Sequence, residues 1–291
     1  MKTRAPLRIS FAGGGTDIEP YCSLYGGCVI SAAIQIYAEA TYPSERKKMT
    51  PLEQSIIDHF HCDGISISTH CVAAPMSGLG GSAANFVAGI RAITEMTKQE
   101  IAELAFDLER NKLGVLGGKQ DQYAAAFGGL NYLTFEKDGR VGGLHIPIPE
   151  GLEDLLLLVY LGKRIINGHD IIKDQSSRDN RKNFDIQKAI VQSMHSALGK
   201  DDFKLFGLLL EQAWQSKVQF SPYVTSVDIN EFHDKCLQNG AIAGKLTGAG
   251  GGGYMLLMEW PNKPGELRKY LRSQKIKYLN VKFDTEGVKC L

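Results

Sequence analysis

Residues 75–85 form a glycine-rich stretch whose composition suits an anionic ligand, most often a phosphate. The stretch reads Pro-Met-Ser-Gly-Leu-Gly-Gly-Ser-Ala-Ala-Asn. Three glycines without side chains let backbone N–H groups approach a ligand closely, and a helix that begins here turns its positive end toward the same point. It is not a P-loop, because no lysine follows Gly80 or Gly81, nor a G-x-G-x-x-G motif, because Ala83 occupies the third glycine position. The alternative is a tight strand-to-helix connection without a ligand.

The patterns on both sides predict the elements that position this stretch. Residues 64–70 alternate apolar and polar side chains, which is typical of a half-buried strand. After the stretch, Phe86, Val87, Ile90 and Ile93 recur at helical spacing. The glycine-rich stretch is therefore predicted to be the turn between a strand and a helix.

A second glycine cluster, residues 13–15, follows a strand predicted over residues 8–12. Its glycines permit positive φ or a close approach of the backbone. Thr16 and Asp17 come next and have two interpretations. Either they cap the following segment, or Asp17 faces a cleft and accepts hydrogen bonds from a polyol.

Two further carboxylates, Glu109 and Asp121, are candidates for chemistry. Glu109 falls at the end of a helix opened by a capping-box pattern at residues 97–100, and an acid near a helix C-terminus costs about 0.3–1 kcal/mol. This position favours another role, such as holding a cation; the alternative is an exposed glutamate. Asp121 precedes an apolar segment that predicts burial, and burying an unpaired charge is costly. We predict a catalytic role for Asp121, with an ion pair to Lys119 as the alternative.

The second half of the chain opens with an apolar run at residues 155–161 that predicts a central strand. Irregularly spaced cations follow, and they form either a solvated loop or a site for a phosphate on a substrate. They are Lys163, Arg164, His169, Lys173, Arg178, Arg181 and Lys182.

Two helices are predicted after these cations, over residues 186–198 and 203–214. Four apolar residues of the second helix are predicted to face the core: Leu205, Leu208, Leu209 and Trp214.

A third glycine cluster lies at residues 248–253, where five of six residues are glycine. Each glycine loses much conformational entropy on folding, so this number is too high for an ordinary turn. The backbone is therefore expected to pass close to something else, either a ligand or a neighbouring loop.

The composition is that of a globular enzyme of one large or two ordinary domains, with 291 residues, 43% hydrophobic and 22% charged. A net charge of +1 argues against a nucleic-acid partner. The six cysteines contain no C-x-x-C pair, so we expect free thiols in a reducing compartment. No signal pattern and no apolar run of about 18 residues is present, which predicts a cytoplasmic protein without a membrane partner.

Together, the three glycine clusters and the Gln-Asp-Gln run around Asp121 resemble the GHMP kinases, the superfamily of galactokinase, homoserine, mevalonate and phosphomevalonate kinases. Residues 75–84 look like its P-x-x-x-G-L-G-S-S-A phosphate loop, residues 8–17 like its N-terminal substrate motif, and residues 245–253 like its C-terminal glycine motif. The resemblance covers nearly the whole chain and is strongest to the heptose-phosphate kinases of the superfamily.

This resemblance implies an α+β fold of the two-domain α/β sandwich type. A ribosomal-protein-S5-like domain would span residues 1–150 and a ferredoxin-like domain residues 151–291, with the active site between them. The implied activity is transfer of a phosphoryl group from ATP, with Mg²⁺, to a small sugar or sugar phosphate, most closely the anomeric hydroxyl of a heptose 7-phosphate used for bacterial surface glycans. A homo-oligomer is compatible with the sequence.

The resemblance also implies site residues by their positions in the matching motifs. Asp121 matches the catalytic aspartate and Arg8 the basic residue that pairs with it, whereas Ser82 and Glu109 match the Mg²⁺ ligands. The implied nucleotide contacts are Pro75, Ser77, Gly78, Leu79, Gly80, Gly81, Ser82 and Ala83. The implied sugar contacts are Asp17, Gly14, Gly15, Thr16, Gln120, Gly248, Gly250 and Gly251. From charge alone, Arg164 and Arg178 are the candidates for a phosphate on the sugar.

The sequence departs from the family pattern in two respects. Gly81 stands where the first serine of the phosphate loop is usual, so one hydroxyl contact is missing. The segments after Thr41 and Met96 are shorter than in typical members, and those segments ordinarily help form the adenine pocket. The alternatives are a kinase for a hexose, deoxyhexose or uronic acid, and a catalytically silent sensor of a sugar or nucleotide. A structural protein would leave the three glycine clusters without a reason.

Overall fold

Two antiparallel sheets with helices packed on them build the computed structural model of this protein, which describes residues 1–45, 48–164 and 166–291. The strands of these residues are β1 (Lys2–Ala12), β2 (Gly27–Ser44), β3 (Ser66–Cys71), β4 (Leu130–Phe135), β5 (Val141–Ile146), β6 (Leu156–Tyr160), β7 (Ala241–Leu246), β8 (Tyr254–Glu259), β9 (Leu279–Asn280) and β10 (Lys289–Cys290).

The helices of the described residues lie between these strands. They are α1 (Tyr21–Tyr25), α2 (Pro51–His59), α3 (Gly81–Ile93), α4 (Lys98–Asp107), α5 (Gln120–Phe127), α6 (Gly168–Ser177), α7 (Arg181–Leu198), α8 (Phe203–Lys217), α9 (Val227–Gln238) and α10 (Glu266–Ser273). A π-helical turn, Leu108–Lys112, continues α4, and a short 3₁₀ turn, Glu153–Leu155, precedes β6.

The long strand β2 organises the first sheet, whose order is β10-β1-β2-β4-β5. Along one side β2 pairs with β1, and its first half pairs with β4 while its second half pairs with β3. The second sheet has the order β7-β8-β6-β9. The predicted α+β fold is confirmed by this mixture of antiparallel sheets and helices.

The glycine-rich stretch lies where the sequence predicts it, between strand β3 and helix α3. Gly80 precedes the helix in a left-handed conformation (φ 75°), and no side chain caps the helix. The apolar face of α3 is rich in alanine and packs on β1 and β2. The first N–H groups of α3 are therefore free to bind a ligand in front of the helix.

The third glycine cluster passes close to this same stretch. The Tyr254 N–H donates to the Ser77 carbonyl at 2.9 Å. A Cβ at Gly253 would lie 2.3 Å from the Ser77 oxygen, and one at Gly248 would lie 2.8 Å from the Gly78 Cα. A neighbouring loop thus accounts for the need for glycine at residues 248 and 253.

The end of the chain returns to the first sheet. Strand β10 pairs with β1, and Phe283 forms a bridge to Ile34 on β2. The Asp284 N–H donates to the Ala33 carbonyl at 2.9 Å. The division of the chain at residue 150 remains a prediction, and these last residues pack on the N-terminal side of it.

Several local predictions have clear outcomes. The capping box at residues 97–100 is confirmed, since Thr97 and Glu100 each accept the expected backbone hydrogen bond. Leu209 and Trp214 are buried as predicted, but Leu205 and Leu208 are each 41% exposed, so their assignment to the core was wrong. The six cysteines are free thiols. Among the described residues, no helix is both long and apolar enough to cross a bilayer.

We expect Gly253→Ala to destabilise the protein through the contact with Ser77 of the glycine-rich stretch. Gly253 and Gly265 have nearly the same φ, +85° and +88°, but a Cβ at Gly265 would meet nothing within 4 Å. Gly265→Ala is therefore a matched control for backbone strain, which costs about 1–2 kcal/mol. Urea denaturation should show a free energy of unfolding for Gly253→Ala that is lower than that of the control by at least about 2 kcal/mol. Equal losses in the two variants would contradict this account of the contact.

Candidate active site

A cavity of about 780 Å³ lies between the two halves of the protein. Its wall combines the glycine-rich stretch and the start of α3 with the second glycine cluster, the start of α6 and the third glycine cluster. All three glycine clusters singled out in the sequence therefore meet at one cavity.

Arg8 and Asp121 form a two-pronged ion pair at the centre of this cavity wall. Arg8 Nε and Nη2 donate to the two carboxylate oxygens of Asp121, each at 2.6 Å, and Arg8 Nη1 donates to the Gly78 carbonyl at 2.7 Å. Asp121 is not paired with Lys119, whose ammonium binds Glu103 at 2.7 Å. The predicted burial of Asp121 is only partial, because its side chain stays 26% exposed. That exposure leaves a carboxylate held by Arg8 but accessible from the cavity.

Glu109 lies in the π-helical turn and is 9% exposed, so the alternative of an exposed glutamate is wrong. Gln122 Nε2 donates to its carboxylate at 2.6 Å, and the Ser82 hydroxyl also hydrogen-bonds to it. Burial raises the pKa of Glu109 to about 7; the Ser82 and Gln122 hydrogen bonds oppose the rise, and the charge of Asp121 adds to it. Such irregular helical turns are frequent at functional sites.

Ser82 and Glu109 fit the protein's share of a Mg²⁺ site. The Glu109 carboxylate is buried beside neutral donors and a second carboxylate, so it lacks a compensating positive charge. In the part of the chain that the structure describes, no group of three or more His, Cys, Asp or Glu side chains could hold a metal. Mg²⁺ typically takes one or two protein carboxylates and completes its shell with phosphate oxygens and water.

Asp17 lies one layer behind the cavity wall. Its carboxylate accepts from the Gly15 N–H at 3.3 Å and from Gln120 Nε2 at 2.9 Å. Burial and the nearby charge of Asp121 raise its pKa above the ordinary value. Gly14, Gly15 and Gln120 line the cavity in front of it.

Polar atoms near Asp17 are available to a ligand. Ser10 and Gln120 both line the cavity. Their side-chain oxygens, Ser10 Oγ and Gln120 Oε1, are buried and have no hydrogen-bond partner within the described residues. Because buried polar groups are normally paired, these two oxygen atoms are free to pair with hydrogen-bond donors of a ligand.

The remaining predicted nucleotide contacts divide into two groups. Leu79 and Ala83 are buried behind the loop and do not line the cavity, although the Leu79 carbonyl accepts from the Arg8 N–H at 2.9 Å. The residues that do line the cavity are Pro75, Ser77, Gly78, Gly80, Gly81 and Ser82.

Besides Asp17, four residues predicted to bind the sugar or its phosphate do not line the main cavity. The Thr16 hydroxyl donates to the Gly13 carbonyl at 2.8 Å and so closes the second glycine turn. Gly250 and Gly251 pack against the backbone of residues 223–224, whereas Gly248 does line the cavity. Arg178 pairs with Asp174 at 2.7 Å in a separate, smaller pocket.

Two buried lysines beside the cavity were not predicted as site residues. Lys217 Nζ donates to the Gly248 carbonyl, and Lys245 Nζ donates to the Ser10 carbonyl at 2.8 Å. Burial lowers the pKa of Lys217 well below its ordinary value and that of Lys245 to about 7, with nearby cations adding to both shifts. Lys217 is the last residue of α8 and lies four positions after Ala213 and three after Trp214. Both of these residues are buried, and this spacing places Lys217 on the same face of the helix.

Comparisons with known proteins agree with this arrangement. The family model described as "GHMP kinases N terminal domain" matches residues 49–129, and the model described as "GHMP kinases C terminal" matches residues 194–274. A D-glycero-alpha-D-manno-heptose 7-phosphate kinase of Campylobacter jejuni is 31% identical, over 99% of this chain and 98% of its own. That alignment spans 332 positions, more than the 291 residues of this chain, so the relative carries segments that are absent here.

Two further proteins are similar over nearly the whole chain. The crystal structure of a D-glycero-D-manno-heptose 1-phosphate kinase from Bacteroides thetaiotaomicron superimposes with a TM-score of 0.78 at 25% identity, over 99% of this chain and 97% of its own. A bifunctional fucokinase/GDP-fucose pyrophosphorylase of Arabidopsis thaliana is 25% identical over 94% of this chain, which spans 31% of that longer protein. The chain therefore belongs to the GHMP kinases, and it is an enzyme of the phosphotransferase class.

Proposed function

We propose that this kinase phosphorylates the anomeric hydroxyl of D-glycero-D-manno-heptose 7-phosphate with ATP, giving the 1,7-bisphosphate. The observation that carries the proposal is the Arg8–Asp121 pair, which is open to the cavity beside both the phosphate loop and the two side-chain oxygens that are free to pair with a ligand. The choice of a heptose is supported by the full-length relative whose name gives that substrate.

The phosphate loop supplies the binding site for the nucleotide phosphates. GHMP kinases use ATP as phosphate donor, and the N–H groups of residues 78–82 lie at the open N-terminus of α3. Ser82 and Glu109 would hold Mg²⁺, which would supply positive charge to offset the charge of the nucleotide phosphates. Most of the rate enhancement in phosphoryl transfer comes from such positioning and charge stabilisation.

Asp121 orients the acceptor hydroxyl and receives its proton. Arg8 binds both carboxylate oxygens and the Gly78 carbonyl, so the carboxylate is fixed relative to the phosphate loop. Phosphoryl transfer through a loose transition state needs little base strength, and orientation by Asp121 then contributes more than proton abstraction.

The sugar occupies the part of the cavity next to the second glycine cluster. Gln120 and Ser10 contact its hydroxyl groups, and Asp17 fixes the Gln120 amide from behind. The smaller pocket, of about 130 Å³, shares Gly15, Ile18 and Gln175 with the main cavity and includes Arg178. Arg178 is therefore our candidate for binding the 7-phosphate.

A panel of acceptors tests the proposed function. With ATP, the highest kcat/KM is expected for D-glycero-D-manno-heptose 7-phosphate, and ³¹P NMR of the product should show a new anomeric phosphate. The matched acceptors are the unphosphorylated heptose, the heptose 1-phosphate, mannose 6-phosphate and L-fucose. Preferred turnover of the 1-phosphate or of L-fucose would replace the proposed substrate, because these are the acceptors that the names of other relatives indicate.

Asp121→Asn should lower kcat by about 10²- to 10⁴-fold, because the amide loses one of the two Arg8 hydrogen bonds that fix the group and also cannot accept the hydroxyl proton. ATP affinity, measured by calorimetry without sugar, should change little, since Asp121 is not part of the phosphate loop. Asp138→Asn, which alters an exposed pair with Arg140, is the control and should keep wild-type turnover. Near-normal turnover of Asp121→Asn would remove this residue from the mechanism.

Arg178→Ala should raise KM for the heptose 7-phosphate about tenfold, the effect of losing one hydrogen bond to a charged group. KM for the unphosphorylated heptose should stay the same, because that sugar has no 7-phosphate. Arg140→Ala removes another exposed, aspartate-paired arginine and serves as the control. An unchanged KM for the phosphorylated sugar in Arg178→Ala would place the 7-phosphate elsewhere.

A further inference from the structure

We infer that Arg164 is a further catalytic residue, whose guanidinium binds the phosphoryl group in transit between ATP and the acceptor. The inference rests on phosphoryl transfer in this cavity and does not depend on which sugar accepts the group. In that step a bond forms from the acceptor oxygen to the γ-phosphorus while the bond from that phosphorus to the bridging oxygen breaks. ADP leaves, the hydroxyl proton passes to Asp121, and Arg164 gives up neither proton nor electrons.

The Arg164 guanidinium is buried, and two of its nitrogens lack a partner in the described part of the chain. The residue is 8% exposed, and its Nε and Nη2 have no hydrogen-bond acceptor within the described residues. Burying a charge without a counter-ion is expensive, so proteins rarely leave an arginine in this state. An arginine fork is suited to two oxygens of a phosphate.

Three glycines make the space that holds this guanidinium. A Cβ at Gly78 would lie 2.7 Å from Arg164 Nη2, one at Gly248 would lie 2.8 Å from the same atom, and one at Gly168 would lie 2.6 Å from Nη1. Gly78 belongs to the phosphate loop, Gly248 to the third glycine cluster, and Gly168 begins α6. The guanidinium is therefore enclosed by backbone at the edge of the nucleotide site, and it lines the main cavity.

Gly78 lies between Arg164 and the Arg8–Asp121 pair, because Arg8 binds the Gly78 carbonyl and a Cβ at Gly78 would meet Arg164 Nη2. Arg8 and Asp121 both lie close enough for their charges to act on Arg164. Burial and the positive charge of Arg8 lower the pKa of Arg164 to about 10, so the group stays protonated at neutral pH. Arg8 is fully engaged by Asp121 and Gly78. Arg110 and Arg164 also line the cavity, and each has at least one guanidinium nitrogen without a partner within the described residues. Of these two, Arg164 is the one whose guanidinium lies against Gly78.

This position separates Arg164 from the phosphate carried by the sugar. The acceptor hydroxyl faces Asp121, and a phosphate on the last carbon of a heptose lies at the other end of that molecule. The pocket that contains Arg178 is reached past Gly15 and Ile18, and Arg164 does not line it. Contact with the phosphate loop at Gly78 favours the transferred group as the ligand of Arg164.

The test compares Arg164→Met, which keeps most of the side-chain length, with Arg164→Lys, which keeps the charge. We expect kcat of Arg164→Met to fall by about 10²- to 10³-fold or more, as when a transition-state donor is removed. KM for the sugar phosphate should change little, and Arg164→Lys should recover part of the loss. Arg140→Met is the surface control and should match the wild type.

Two binding and stability measurements accompany the kinetics. Calorimetry with Mg²⁺ and the acceptor identified by the panel should show normal ADP affinity in Arg164→Met but a loss of at least tenfold for ADP with aluminium fluoride, which imitates the group in transit. Without ligands, the melting temperature of Arg164→Met should equal or exceed that of the wild type, because an unpaired buried charge is gone. A normal ADP affinity also shows that the variant is folded; if it does not fold, Arg164→Lys carries the same comparisons.

The outcomes separate this inference from the proposed function. Unchanged kcat with a raised KM for the sugar phosphate would assign Arg164 to the acceptor's own phosphate and overturn the inference. Unchanged kcat and KM, or equal losses of ADP and ADP–aluminium fluoride affinity, would also overturn it. If the heptose is the wrong acceptor, the wild type itself is inactive on it, and the comparison proceeds with the acceptor that the panel identifies.

Discussion

Three segments that are far apart in the sequence meet at the guanidinium of Arg8. Strand β1 carries the arginine, the phosphate loop provides the Gly78 carbonyl, and the first turn of α5 provides Asp121. An ion pair that is mostly buried is costly unless all its donors and acceptors are used. Here the geometry uses every guanidinium nitrogen. The position of the Asp121 carboxylate relative to the phosphate loop is therefore set by a single side chain.

The charges around the cavity are balanced for a bound anion and not for the free protein. Arg8 has a carboxylate partner, but Arg164 has none within the described residues. The amines of Lys217 and Lys245, whose pKa values are lowered by burial, donate to carbonyl oxygens. Among the negative groups, Glu109 is a buried carboxylate whose hydrogen-bond donors are neutral. Both imbalances would be relieved by a phosphate chain accompanied by a divalent cation. Proteins commonly accept reduced stability in this way at sites that bind charged ligands.

The sequence predicts best those features that depend on local chemistry. The turn between β3 and α3 follows from glycine positions and apolar spacing, and the capping box at residues 97–100 needs only four neighbouring residues. Leu205 and Leu208 show the limit of this reasoning. Helical spacing identifies an apolar face, but only the packing partners decide how far around the helix that face is covered.

Site residues were hardest to predict where their role depends on distant partners. The partner of Asp121 is 113 positions away, whereas the alternative, Lys119, is two positions away, so spacing alone favours the wrong ion pair. Helix α6 interrupts the run of cations after β6 and separates Arg164, in the main cavity, from Arg178. Charge composition cannot make that distinction. The sequence around Lys217 does show that this lysine lies on the buried face of a helix. It does not show that a cavity lies next to that face, because the cavity is formed by distant segments.

The hydrogen bond from the Tyr254 N–H to the Ser77 carbonyl joins the first residue of β8 to the phosphate loop. The loop belongs by sequence to the first half of the chain, yet its backbone is clamped by the second sheet. A rigid parting of the two halves about a hinge would have to break this bond and separate Gly253 from Ser77. Any movement of the phosphate loop away from the second sheet therefore has to begin with the loss of this hydrogen bond.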